Sequence, residues 1–168
     1  MTISRPVGIA WGSALLAAAG LALFQDVPAG FELIKTIQVA ANVAWTDSGI
    51  DVKACQEIYF EATGAALLQK DNPVANCGPE GLNLKTMQQP IPEQNLGALI
   101  GLVREKIEIV EDQQTKEKAS RDIGEVFFIG AKNQRVFSAA GRLLLGLNEN
   151  VPGDNDGAYE VKIYLKVR

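Results

Sequence analysis

Histidine is absent from the 168 residues. With it go the commonest general base near neutral pH and the commonest neutral metal ligand. A Ser–His–Asp or Cys–His catalytic site is excluded outright. Cysteine is scarce: Cys55 and Cys77 are the only two. Two thiols without histidine make a poor zinc site, and their spacing is not the CxxC of a thioredoxin-like redox centre. Positive charge is also in deficit. The 16 lysines and arginines face 20 acidic residues, for a formal net charge of −4. An acidic chain without a basic stripe repels phosphate backbones, which argues against nucleic acid as a partner. No phosphate-cradling glycine loop or cofactor fingerprint is visible either. The expectation is a non-catalytic protein.

What the chain does have begins with an uncharged run, Val7 to Phe24, preceded by Arg5 and followed by Gln25-Asp26. As a helix these eighteen residues reach about 27 Å at 1.5 Å per residue, close to a hydrocarbon core of about 30 Å. A secretory h-region is usually shorter. Residues 1–29 are therefore expected to be an uncleaved transmembrane signal-anchor. A cleaved signal peptide, cut near Val27-Pro28-Ala29, is the competing reading. Arg5 favours a cytoplasmic N-terminus, placing residues 30–168 on the periplasmic side. Gly8 and Gly12 form a GxxxG pair, a face on which other transmembrane helices can pack closely.

From Phe31 onward the pattern changes to alternation. Leu33, Ile37 and Val39 read as one face of a strand, with Lys35 as an exception. Ile58, Phe60 and Ala62 alternate with Glu57, Tyr59 and Glu61, and Tyr159, Val161, Ile163, Leu165 and Val167 with polar neighbours. Period-two alternation marks half-buried strands. Further apolar runs lie at Ala98–Val103, Val126–Ile129 and Leu143–Leu147, separated by Gly/Pro/Asx turns. Many short strands with such turns predict an all-β sandwich or jelly roll. The charge-dense stretch Arg104 to Glu125 reads as a protruding loop or hairpin, or as a docking arm for a partner. In an oxidising compartment Cys55 and Cys77 are expected to form a disulfide.

Three pieces in order carry a resemblance. Trp45-Thr46-Asp47-Ser48-Gly49-Ile50-Asp51-Val52 reads as an opening hairpin. Gly97-Ala98-Leu99-Ile100-Gly101 comes next, with Phe128-Ile129-Gly130 further on. Gly141-Arg142-Leu143-Leu144-Leu145-Gly146-Leu147-Asn148-Glu149-Asn150, then Asp154-Asn155-Asp156-Gly157, reads as a closing hairpin. Together they resemble the galactose-binding-like β-sandwiches related to the PA-I galactophilic lectins. The resemblance implies a jelly-roll fold and a calcium-dependent sugar site built partly on the last turn. Asn150, Asp154 and Asn155 are the positions that match as calcium ligands, with Glu149 joining if the register shifts. The lectins' sugar loop follows a Gly-Pro-x-Gly turn and carries histidine and glutamine. Here Gly78-Pro79-Glu80-Gly81 is followed by no histidine, and Gln88 or Gln89 would have to stand in. An ordinary turn joining two strands accounts for the same 148–157 chemistry.

Two functions follow. The leading expectation is a membrane-anchored accessory subunit of a larger membrane complex, photosynthetic or respiratory, with the sandwich as a brace or docking surface. The alternative is an exported calcium-dependent carbohydrate-binding protein.

Overall fold

The computed structural model describes residues 27–111, 116 and 118–167. The expected anchor over residues 7–24, with Gly8 and Gly12, lies outside the described residues. Among the described residues no helix is long and apolar enough to cross a membrane.

The described residues form nine strands and two single 3₁₀ turns. The strands are β1 Phe31–Ala40, β2 Thr46–Val52, β3 Glu57–Leu67, β4 Asn76–Cys77 and β5 Leu99–Glu111, followed by β6 Lys118–Phe128, β7 Lys132–Val136, β8 Gly141–Leu147 and β9 Asp156–Lys166. They pair antiparallel into two sheets. One runs β1-β9-β3-β4, with β7 also on β3, and the other runs β2-β8-β5-β6. An all-β two-sheet sandwich is what the alternation predicts.

The core lies between the sheets. Val39, Ile58, Phe60, Tyr159, Val161 and Ile163 meet Val103, Phe127, Leu143, Leu145 and Leu147 there. Phe127 stacks tilted on Phe60 and edge-on to Phe137, with ring centres 5.9 and 5.3 Å apart. Two of the continuous apolar runs, Ala98–Val103 and Leu143–Leu147, fall on β5 and β8, the strands central in their sheet, whereas Val126–Ile129 ends the edge strand β6. Ile100, Leu102 and Leu144 are buried, yet stand on the opposite side of the pleat from the core residues Leu99, Val103, Leu143 and Leu145. Strands covered on both faces lose their alternation for this reason.

Local departures have identifiable causes. Leu33 does not share a face with Ile37 and Val39. A bulge lies between Leu33 and Lys35, so Leu33 stands opposite Tyr164 while Lys35 stands opposite Ile163. Inserting one residue flips the face of everything before it. Thr46-Asp47-Ser48-Gly49 is not a turn but a bulge within β2, where the register against β8 shifts between Asp47 and Ile50. The Asp47 side chain accepts from Gly49 N (2.8 Å), and Ser48 Oγ donates to Leu143 O (2.7 Å).

The two expected hairpins are not hairpins. β2 and β3 lie in different sheets, as do β8 and β9. The segment 148–155 therefore crosses from one sheet to the other at one end of the sandwich. The expected disulfide is also corrected, because both cysteines are free. Cys55 precedes β3, whereas Cys77 pairs with Ala66 near the far end of β3. Eleven residues of extended chain separate those ends, more than about 30 Å at roughly 3.3 Å per residue. A disulfide needs Cα atoms within about 7 Å.

Candidate functional site

The three pieces that carry the resemblance converge in space. β2 and β8 pair along their length, placing the Trp45–Val52 piece against the Gly141–Leu147 piece. Arg142 clasps Asp47 (Nε–Oδ1 2.7 Å) and Asp51 (3.2 Å). Its guanidinium and the Gly49 amide hold the Asp47 carboxyl below the usual carboxylate range, the amide acting most strongly. Trp45 packs over Gly146, where any side chain would collide with the indole and with Ala44 O. On the other flank β8 pairs with β5, and the ladder runs on past the strand ends. Asn148 N donates to Ala98 O (2.8 Å) and Gly97 N to Asn148 O (3.2 Å).

That extension brings the loops 41–45, 68–75, 78–98 and 148–155 to one end of the sandwich. Two buried amides organise them. Asn148 is fully buried, with Oδ1 accepting from Ile91 N (2.8 Å) and Nδ2 donating to Ile91 O (2.9 Å) and Asn95 O (3.1 Å). Gln89 Nε2 donates to Ile91 O (3.1 Å) and also to Gln94 O and Pro92 O. Tyr159 supports the floor. Its buried hydroxyl lies 2.9 Å from Gly78 O and 3.0 Å from Gly97 O, sharing one proton between them, and 3.4 Å from Cys77 Sγ. Burial pushes the Tyr159 hydroxyl well above its ordinary value and raises the Cys77 thiol.

The crossing segment itself starts at Glu149, passes through the Pro152–Asp154 3₁₀ turn and ends at Asn155. Asn155 is 94% buried, since 6% of its surface is exposed. Its Nδ2 donates to Ala41 O (3.1 Å) and to Glu149 Oε2 (2.6 Å). Its Oδ1 is buried and has no partner. Burial, joined by the nearby negative charge of Asp154, raises the Glu149 carboxyl above its ordinary value, and the Asn155 bond offsets part of this. A cavity of about 130 Å³ opens beside this segment, lined by Thr86, Gln88, Gln89, Leu96, Glu149, Asn150 and Val151.

The expected ligands are thus only partly gathered. Asn155 touches Glu149, Asn150 lines the adjoining cavity, and Asp154 acts on Glu149 through its charge. Among the described residues no three His, Cys, Asp or Glu side chains are grouped to hold a metal. A hard cation at this turn would need amide and main-chain oxygens as well. Glu149, expected to join only if the register shifts, is the carboxylate that Asn155 contacts. Of the two glutamines, Gln89 is committed to bracing its loop, whereas Gln88 is exposed at the cavity wall.

No protein-family model matches the chain, and no curated protein matches it. Solved structures do. The N-terminal domain of EclA, described as a PllA-like lectin, superimposes with a TM-score of 0.52 at 18% identity, covering 81% of this chain and 98% of that domain. The chain has the sandwich fold of a PllA-like lectin. The two-sheet sandwich expected from the PA-I-type resemblance is therefore present, with the first and second motif pieces flanking the third in one sheet.

Proposed function

We propose that this chain is a non-catalytic carbohydrate-binding protein of lectin type, with calcium and sugar meeting at the segment 149–155. The observation that carries the reading is the orphaned Asn155 Oδ1 beside Glu149. Leaving a buried carbonyl oxygen unpaired costs about 1–3 kcal/mol, and two neighbouring carboxylates add to the strain. A hard cation relieves both, and oxygen donors of this kind are its preferred ligands. The donor chemistry fits calcium: Glu149 and Asp154 supply carboxylates, Asn150 and Asn155 amide oxygens. When bound, the ion would supply positive charge and open positions for sugar hydroxyls. The chain's own part is to orient the sugar. Thr86 and Gln88 offer hydrogen bonds at the cavity wall, and Leu96 and Val151 supply apolar surface for a sugar's C–H face. The lectin-like fold of the matching EclA domain supports the same reading.

The membrane-anchored accessory subunit stands as the second reading, favoured by the uncharged run at residues 7–24. The two are compatible if the sandwich is displayed from a membrane. The deciding experiment is titration calorimetry of the full chain with galactose-, fucose- and mannose-terminated oligosaccharides, with calcium and with chelator. Binding of at least one sugar in calcium alone, weakened about 10-fold by Gln88→Ala, is expected for loss of a hydrogen bond of roughly 1.4 kcal/mol. Failure of every sugar at millimolar concentration in calcium would overturn the proposal.

A further inference from the structure

The β5–β6 ladder outruns its sheet. β8 pairs with β5 only as far as Arg104↔Arg142, while the β5–β6 ladder continues to Glu111↔Lys118. Beyond Arg104 the two strands form a ribbon on their own, and among the described residues no strand pairs with the β8-side edge of β5 there. An isolated two-stranded ribbon is marginal in water. This one also exposes apolar side chains along β5: Ile107 is 55% exposed, Ile109 72% and Val110 46%. The register then places Lys106 beside Ile123, Ile107 beside Asp122, Glu108 beside Arg121 and Ile109 beside Ser120.

We propose that this edge pairs with the same edge of a second copy of this chain, antiparallel about a two-fold axis at Ile107. The occupant is argued from charge. In that register Ile107 faces Ile107 of the other copy, and Lys106 faces Glu108 twice. Across the joined ribbons one face then reads Arg121, Glu108, Lys106, Ile123, with signs alternating through the junction. On the other face Ile107 and Ile109 from both copies lie within diagonal reach of each other. Moving the axis to Glu108 sets Glu108 against Glu108, which like-charge repulsion disfavours. A symmetric contact of this kind is isologous and closes as a dimer.

The test is sedimentation velocity of the full chain in mild detergent, with charge-reversal variants. The wild type is expected to dimerise. Lys106→Glu and Glu108→Lys should each weaken the dimer at least about 10-fold, because each puts like charges opposite one another twice. The double variant Lys106→Glu/Glu108→Lys should recover most of the loss, since the pairs across the axis re-form with signs exchanged, and Arg121 beside position 108 keeps it short of the wild type. Circular dichroism of all four proteins should coincide, as these side chains are exposed and outside the core. A wild-type monomer at about 100 µM would overturn the proposal and make Lys106 a charged guard of an open edge. A dimer indifferent to either reversal, or not rescued by the double exchange, would overturn it too.

Discussion

Asn155→Ala separates the structural part of the crossing segment from its proposed ligand-binding part. In the absence of a cation the substitution removes the donation to Ala41 O and the charge-assisted donation to Glu149. Those bonds contribute about 1 and about 2 kcal/mol. It also deletes the unpaired Oδ1, returning about 1–3 kcal/mol of buried-oxygen cost. The net loss is about 0–2 kcal/mol, or up to about 6 °C in Tm for a domain of this size. With calcium at 100 times its Kd the wild type gains about 2.7 kcal/mol that the variant does not. The gap between the two should then widen by about 8 °C. Thermal melts followed by circular dichroism, in chelator and in calcium up to about 10 mM, read both terms, since weak extracellular calcium sites have Kd values of about 0.1–1 mM. An unchanged gap across that range would refute the argument that the orphaned oxygen awaits a cation.

Two further outcomes follow from the same cluster. The Glu149 carboxyl is raised by burial and by Asp154, so the folded state holds its proton more tightly than the unfolded chain does. Stability from this group is greatest below the ordinary glutamate value of 4.5 and declines as pH rises to the raised folded value. Glu149→Gln should therefore melt higher than wild type at pH 7 in chelator, yet lose its calcium response. In the wild type, calcium stabilisation should weaken as acid protonates Glu149, and the pH of that loss should fall as calcium is raised, because proton and cation compete for one carboxylate; differential scanning calorimetry against pH checks both. Tyr159→Phe leaves Gly78 O and Gly97 O without the shared hydroxyl proton. It should cost about 2 kcal/mol, or about 6 °C, measured by thermal or urea unfolding.

Strand alternation alone makes the strands and their core faces legible. Tyr159, Val161 and Ile163 face the core as their spacing requires, and so do Ile58, Phe60 and Ala62. What the pattern could not reveal was which strands share a sheet. Asx/Gly/Pro chemistry terminates a strand equally well before a hairpin and before a crossing, so segment 148–155 looked like a hairpin turn. The bulge at Leu33/Lys35 was visible only as the anomaly of Lys35, whose long stem reaches Gly49 at the margin while Leu33 turns outward. The cysteines misled because spacing along the chain carries no information about which end of β3 each one occupies.

The candidate site was legible as composition but not as roles. Asn148, Asn150 and Asn155 are one residue type within eight positions, and the environment divides them. Asn148 uses both ends of its amide to hold Ile91 and Asn95, so it is structural throughout. Asn150 is exposed at the cavity rim. Asn155 donates from one end and leaves the other buried and empty-handed. The two Nδ2 donations explain why an amide stands at this position, and its carbonyl oxygen is the part of the group that no protein partner uses. Turn chemistry alone explains why asparagines occur here. The unpaired oxygen, set beside a carboxylate that burial makes reluctant to ionise, is the feature that turn chemistry leaves unexplained and on which the proposed cation site rests.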